Sequence, residues 1–477
     1  MKTPVDTTVT KTIVCALHCK KVRSSVDLSA LSEVFSHLQS PAILGGNPAK
    51  KDADGFSYWT AVPKQIFQFH SNQQNPFKKM QKVLSKYKLD ISSNLLPDGM
   101  FCGGWIGYLG YELGRFVENL PETTIDDLEM PLIHLSFYDR VIGYDHRRDT
   151  FWLLALQLPD DSETPKQKLA SLEELLSQAQ QTTVKTQQPA DLADIDFSQI
   201  KSNMTKNYYL EAIEKIKRYI YNGDVYQINF TQRFESNYKS RPIDLFNWQN
   251  HYNPCSYSAY IDTGDFTIVS TSPEMFITIE NGTISTKPIK GTRPRINHEN
   301  PTAKKTNEKN FDELIKSEKE QAELNMIIDL ERNDLGRICE YGTIKVVKPR
   351  KIETYPTVFH AVAAIAGRLR NEISFADILK AMFPGGSITG APKVSSMKII
   401  EQLEPTARGV YTGAIGFIGI DGNACLNIAI RTIIIKEKTA YTQVGGGIVA
   451  DSEPQAEWDE TITKARALLA GINSVNQ

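Results

Sequence analysis

Runs of β-branched and aromatic residues in the second half of this chain constrain its fold most. Phe266-Thr267-Ile268-Val269-Ser270, Met275-Phe276-Ile277-Thr278-Ile279 and Ile428-Ala429-Ile430-Arg431-Thr432-Ile433-Ile434-Ile435 carry the side chains that suit a pleated sheet. Helical spacing recurs between such runs. Thr205 is placed as an N-cap, Tyr209, Ala212, Ile213, Ile216 and Ile220 follow at helical intervals, and Gly223 is placed to end the helix. Further helices are expected around 313–331, 392–403 and 454–470, and the absence of a fixed-period repeat excludes a solenoid or propeller. Three regions follow: 1–158, where the strand-like Phe151-Trp152-Leu153-Leu154-Ala155-Leu156 mixes with turns; 159–204, a polar linker with a short helix near Leu169–Leu176; and 205–477.

Lysine and arginine total 54 against 56 acidic residues, and no basic block is dense enough for a nucleic-acid footprint, so a small partner is expected. The start Met1-Lys2-Thr3-Pro4-Val5-Asp6-Thr7 is polar, and no apolar run reaches the roughly 18 residues a transmembrane helix needs. A cytoplasmic protein without membrane contact is the expectation. Cys15, Cys19, Cys102, Cys255, Cys339 and Cys425 lack zinc spacing and read as buried reduced thiols.

Glu320 and Glu323 lie three residues apart on one expected helix, and Glu457 and Glu460 on another; each pair shares a helix face. Facing each other across a cleft they would offer hard oxygen ligands to Mg²⁺, while apart they are ordinary solvated glutamates. Lys464, one turn past Glu460, suits either a substrate carboxylate or an i,i+4 salt bridge. Gly445-Gly446-Gly447 follows the strand-like Ala440–Val444, and Gly385-Gly386-Ser387-Ile388-Thr389-Gly390-Ala391-Pro392-Lys393 leads into a helix. Both allow close approach of an anion, or simply tight turns, and neither matches a nucleotide signature. Lys290 sits in the cationic Lys287-Pro288-Ile289-Lys290-Gly291-Thr292-Arg293-Pro294-Arg295, where repulsion would favour a neutral nucleophilic amine; a solvated basic loop fits the same pattern.

Taken together, these motifs resemble the chorismate-binding enzymes: the synthase subunits that make anthranilate and aminodeoxychorismate, and the isochorismate and salicylate synthases. The resemblance covers roughly 205–471 and rests on Gly223-Asp224-Val225-Tyr226-Gln227, Ser272-Pro273-Glu274, Pro288-Ile289-Lys290-Gly291-Thr292, Glu323 through Arg332-Asn333-Asp334, Phe383-Pro384-Gly385-Gly386-Ser387, Gly390-Ala391-Pro392-Lys393, Ile430-Arg431-Thr432 and Gly445–Ser452. It implies an α+β fold in which two large antiparallel-rich sheets form a sandwich with helices outside. It implies Glu323 and Glu460 as Mg²⁺ ligands with Glu320 and Glu457 in support, Glu274 as general acid for the departing ring hydroxyl, and Arg431, Lys464 and the amides around Gly446 and Gly447 as holders of the substrate carboxylates. His360 matches a histidine near the leaving group.

Two positions separate members of the family. Relatives that add water carry a lysine base where Gln227 stands here, and an amide cannot take a proton from water at neutral pH. The anthranilate enzymes carry alanine where this chain has Lys290. The resemblance therefore implies attack by Lys290, displacement by ammonia from a separate glutaminase subunit, and 4-amino-4-deoxychorismate as product, on the way to para-aminobenzoate and folate. Alternatives are an anthranilate synthase large subunit and a non-catalytic chorismate- or tryptophan-binding subunit. The looser N-terminal match rests on Gly103-Gly104 and Gly107-Tyr108-Leu109-Gly110-Tyr111-Glu112. A tryptophan pocket is implied at Ser256, Tyr257 and Ser258, whereas Ile43-Leu44-Gly45-Gly46 lacks the Leu-Glu-Ser pattern of feedback-inhibited relatives.

Overall fold

The β-branched runs form strands, and their alternation sets which core each side chain enters. In Thr432–Lys436, Ile433 and Ile435 face one apolar cluster and Ile434 the opposite one, as a period of two requires. The computed structural model describes residues 12–46, 55–90, 96–189, 200–296, 301–355 and 358–476; the polar start at Met1–Thr7 and residues 190–199 of the expected linker lie outside these.

Among the described residues two sheets, of 13 and 10 strands, account for the β-structure. Their neighbours pair antiparallel, as in Gln227–Asn237 with Thr439–Ile448, apart from a short parallel contact of Ile13–Cys15 with Tyr87–Leu89. One cluster joins their inner faces, with Ala259, Ile268 and Ile434 from the larger sheet meeting Ile106, Ile415 and Phe417 from the smaller. Outside the larger sheet pack helices Leu28–Ser36, Pro165–Gln181, Pro242–Tyr252 and Pro454–Val475; outside the smaller pack Pro76–Leu84, Glu318–Gly336 and Phe375–Met382. The layering is helix, sheet, sheet, helix, the expected α+β sandwich.

Strands from the first 158 residues enter both sheets: Ala42–Leu44 pairs with Tyr257–Asp262, and Gly104–Leu109 with Ala414–Gly419. Gly107 is glycine because a Cβ there would collide with the His134 carbonyl. The segment expected as a linker carries a 17-residue helix, Pro165–Gln181, capped by Thr164 and Gln167, with Leu172, Leu176 and Ala179 in the outer core. Thr205 caps Lys206–Tyr221 as expected, accepting from the Tyr208 amide at 3.2 Å.

Three expectations need correction. The helix around 313–331 is interrupted at Ser317, which ends Pro301–Lys316 and caps Glu318–Gly336. The glycines Gly445–Gly447 do not follow a strand but lie within Thr439–Ile448. The run Ile428–Ile435 is not one strand: Ala424–Ile428 belongs to the smaller sheet and Thr432–Lys436 to the larger, with Arg431 at a left-handed φ of 49° in the passage between. Pro273-Glu274 makes the same passage between Thr267–Ser272 and Met275–Glu280. Ser272 Oγ donates to the Ile428 carbonyl at 2.6 Å and the Ile428 amide to the Glu274 carbonyl at 3.0 Å, so the two crossings are stitched together.

The described cysteines are all free; four are buried, and Cys19 and Cys425 are partly exposed rather than buried. Among the described residues, no helix is long and apolar enough to cross a membrane.

Candidate active site

The stitched crossings bring Glu274 and Arg431 to one place, and the hairpin after Glu274 returns Lys290 beside them. Glu274 is buried, with Ile289 N–H donating to Oε1 at 3.4 Å and the Ser387 hydroxyl donating to the carboxyl. Burial raises its proton affinity above the ordinary carboxylate range, opposed by Ser387, Lys290 and the Ile289 amide. A buried carboxyl of this kind suits a general acid.

Lys290 Nζ donates to the Ser387 carbonyl at 3.3 Å. Burial pushes its amine below the ordinary lysine range; Glu323, Glu274 and Glu460 oppose this and Lys464 adds to it. The cause thus differs from the sequence expectation. Desolvation dominates, while the flanking cation Arg293 is engaged with Glu320 at 2.6 Å.

The influence of Glu323, Glu274, Lys464 and Glu460 on one amine places both expected glutamate helices at this site. Glu460 pairs with Lys464 at 2.6 Å, the i,i+4 salt bridge that the spacing allowed, and Lys464 also donates to the Gly445 carbonyl at 2.8 Å. Ser452 Oγ donates to Glu457 at 2.6 Å. A Cβ on Gly446 would stand 3.2 Å from Glu457 Oε2 and 3.9 Å from Glu460 Oε1, so glycine there keeps space beside the carboxylates. Glu320 Oε2 is buried without a hydrogen-bond partner. Such oxygens fit a hard cation. Among the described residues no three His, Cys, Asp or Glu side chains come together in a group that could hold a metal ion by itself.

Strand Gln227–Asn237 covers one edge of the triple glycine, pairing Phe230 with Gly446 and Asn229 with Gly447. The strand on the other edge, Thr432–Lys436, pairs only as far as Thr442, which leaves Gly445–Gly447 unpaired on that side among the described residues. Gln227 is 1% exposed, and neither end of its amide makes a hydrogen bond. A buried orphan amide is unfavourable by itself and marks a place for a polar ligand. A Cβ on Gly447 would collide with that amide.

His360 is buried, shares a 2.8 Å hydrogen bond between Nδ1 and Thr292 Oγ1, and is kept neutral because burial, helped by Arg431, lowers it to about 3. Arg431 Nη1 donates to Cys255 Sγ at 3.5 Å, and its carbonyl accepts from the Thr271 amide.

Cys255, Ser256 and Tyr257 line a cavity of about 1220 Å³ shared with Tyr58, Lys287 and Tyr355. Ser256 and Tyr257 from the expected tryptophan pocket therefore reach it. Ser258 does not line it; it is buried, with its carbonyl accepting from the Gly45 amide at 2.7 Å.

Three contributors were not singled out from the sequence. Ser387 meets both Glu274 and Lys290, Asn229 Nδ2 donates to the Ser387 carbonyl at 2.9 Å, and Glu331 is buried behind the same turn. Ser387 stood in a quoted motif, but nothing in a sequence marks a carbonyl as an acceptor. Two further motifs prove to be anchors: Lys393 Nζ pairs with Asp334 at 2.5 Å.

The profile of the chorismate binding enzyme family matches residues 48–470. An aminodeoxychorismate synthase component 1 from Bacillus subtilis is 40% identical over 380 residues, 79% of this chain and 78% of that one. An anthranilate synthase component 1 from Pseudomonas aeruginosa is 38% identical over 411 residues, 84% and 81% of the two chains. The crystal structure of anthranilate synthase component I from Streptococcus pneumoniae superposes with a TM-score of 0.73 at 29% identity, covering 87% of this chain and 92% of that one. The crossing site, the two glutamate helices and these matches agree: the chain belongs to the chorismate-binding enzymes.

Proposed function

We propose that this enzyme aminates chorismate to 4-amino-4-deoxychorismate, with Lys290 as a covalent nucleophile, in the route to para-aminobenzoate and folate. The observation that carries the reading is the placement of Lys290, a desolvated amine beside a buried acid, Glu274. The neutral Nζ bonds to the ring as the carbon–oxygen bond to the ring hydroxyl breaks, and Glu274 gives that oxygen its proton so that water leaves. Ammonia then bonds to the vacated carbon, the electron pair shifts back through the ring, and the Lys290 amine departs. Gln227, buried with an unpartnered amide, can hydrogen-bond ammonia but cannot act as the base that water addition requires.

Glu323 and Glu460, with Glu320 and Glu457 beside them, would hold Mg²⁺, which would neutralise charge on the ring carboxylate. Arg431, Lys464 and the open edge at Gly446 and Gly447 orient the substrate carboxylates, and neutral His360 lies near the leaving group. Ammonia comes from a separate glutaminase subunit. The cavity at Ser256 and Tyr257 is the place for a bound tryptophan. Formation of anthranilate is the second reading, favoured by the 38% identical relative.

Chorismate, Mg²⁺ and ammonium should give 4-amino-4-deoxychorismate without free pyruvate, followed by liquid chromatography and mass spectrometry; chelation should stop the reaction and Mg²⁺ restore it. Anthranilate with pyruvate in equal amounts would overturn the assignment.

A further inference from the structure

We propose that Glu331 is a positioning residue of this site, holding the Gly386–Ser387 turn against Glu274 and Lys290. The inference rests on Glu274 being the acid of the proposed amination.

Glu331 lies on the helix Glu318–Gly336 that also carries Glu320 and Glu323, yet it is 3% exposed. Its carboxyl accepts from the Gly386 amide. Gly386 is glycine for a packing reason: a Cβ would collide with Leu330 and stand 3.3 Å from Glu331 Oε1. The next residue, Ser387, donates its hydroxyl to Glu274, and its carbonyl accepts from Lys290 Nζ at 3.3 Å and from Asn229 Nδ2 at 2.9 Å. Arg408 Nη1 fixes the following carbonyl, that of Ile388, at 3.1 Å. Glu331 therefore supports from behind the one turn that touches both reacting side chains.

The charged groups facing Glu331 are Lys393, Asp334 on its own helix, and Glu274. Lys393 is already engaged by Asp334 at 2.5 Å. Burial raises Glu331 to about 7, with Lys393 and the Gly386 amide opposing and Asp334 and Glu274 adding.

Glu331→Leu removes the acceptor for Gly386 and should lower kcat roughly tenfold or more with little change in KM, because Ser387 is no longer held. Glu331→Gln keeps an acceptor and should recover most of that loss in kcat, whereas a role in stability alone would not make kcat depend on the acceptor in enzyme that remains folded. A Glu331→Leu enzyme with the wild-type kcat, or equal losses of kcat in Glu331→Gln and Glu331→Leu, overturns the proposal. A Glu274→Gln enzyme with the wild-type rate would instead overturn the acid assignment.

Discussion

Lys168, fully buried, and Lys290, partly buried, differ in what surrounds them. Lys168 is fully buried, donates to the Leu156 carbonyl at 2.7 Å, and is ion-paired with Asp161 and, at 2.7 Å, with Asp139. Lys290 has one hydrogen bond, to a carbonyl at 3.3 Å, and among the described residues no carboxylate lies within ion-pair distance of its Nζ. The first arrangement holds a charge in place, joining the helix Pro165–Gln181 to the sheet. The second withholds the partners that would secure the charge, and desolvation then favours the free base. A reactive lysine is made as much by the partners it lacks as by those it has.

Methionine at each position is the strongest way to break this comparison. Lys290→Met should reduce aminodeoxychorismate formation on the order of 10³-fold or more while Mg²⁺-dependent chorismate binding persists, as read by product chromatography and calorimetry. Lys168→Met removes the buried cation from Asp139 and Asp161, leaving them Lys64 and, for Asp139, Arg140 as well, and should destabilise the fold by about 1.5–3 kcal/mol in denaturant titrations, with KM and kcat of the folded enzyme unchanged. Lys290→Met should change stability by no more than about 1 kcal/mol, since no ion pair is lost. Equal destabilisation by the two substitutions would remove the distinction.

The pH profile sharpens the same contrast with a smaller effect. In the proposed reaction Lys290 acts as the neutral amine, and its proton affinity is lowered, so activity should rise as pH climbs through its titration. Glu274 is there the protonated acid, and its affinity is raised, so activity should fall as pH climbs through its own. The expected kcat/KM curve is bell-shaped, and Glu274→Gln should retain the acid limb at a reduced rate while losing the alkaline one. A flat profile would contradict both roles.

Much of this was legible in the amino-acid sequence. The cap at Thr205 and most of the strand runs could be read because local chemistry specifies them, and ordered motifs singled out Glu274, Lys290, Glu323 and Glu460, whose charges act on one another in the folded chain. What was not legible depends on tertiary packing. A β-branched run reads the same whether it stays in one sheet or switches, so the break at Ala429–Arg431 is invisible until the strands are paired. Gly445–Gly447 read as an anion-binding stretch or a tight turn after a strand because their reason for being glycine, the approach of Gln227, Glu457 and the Phe230–Thr231 backbone, lies elsewhere in the chain. Glu331 resembles any surface glutamate until Gly386 is packed over it.

The central claim is that Lys290 bonds to the substrate. Rapid-quench peptide mapping by mass spectrometry, with chorismate and Mg²⁺ and ammonium added or withheld, tests it directly. The account predicts an adduct of chorismate less one water on the peptide bearing Lys290, formed before product and discharged by ammonium. Product formation at the full rate by Lys290→Ala, with no adduct on that peptide in the wild type, would contradict it.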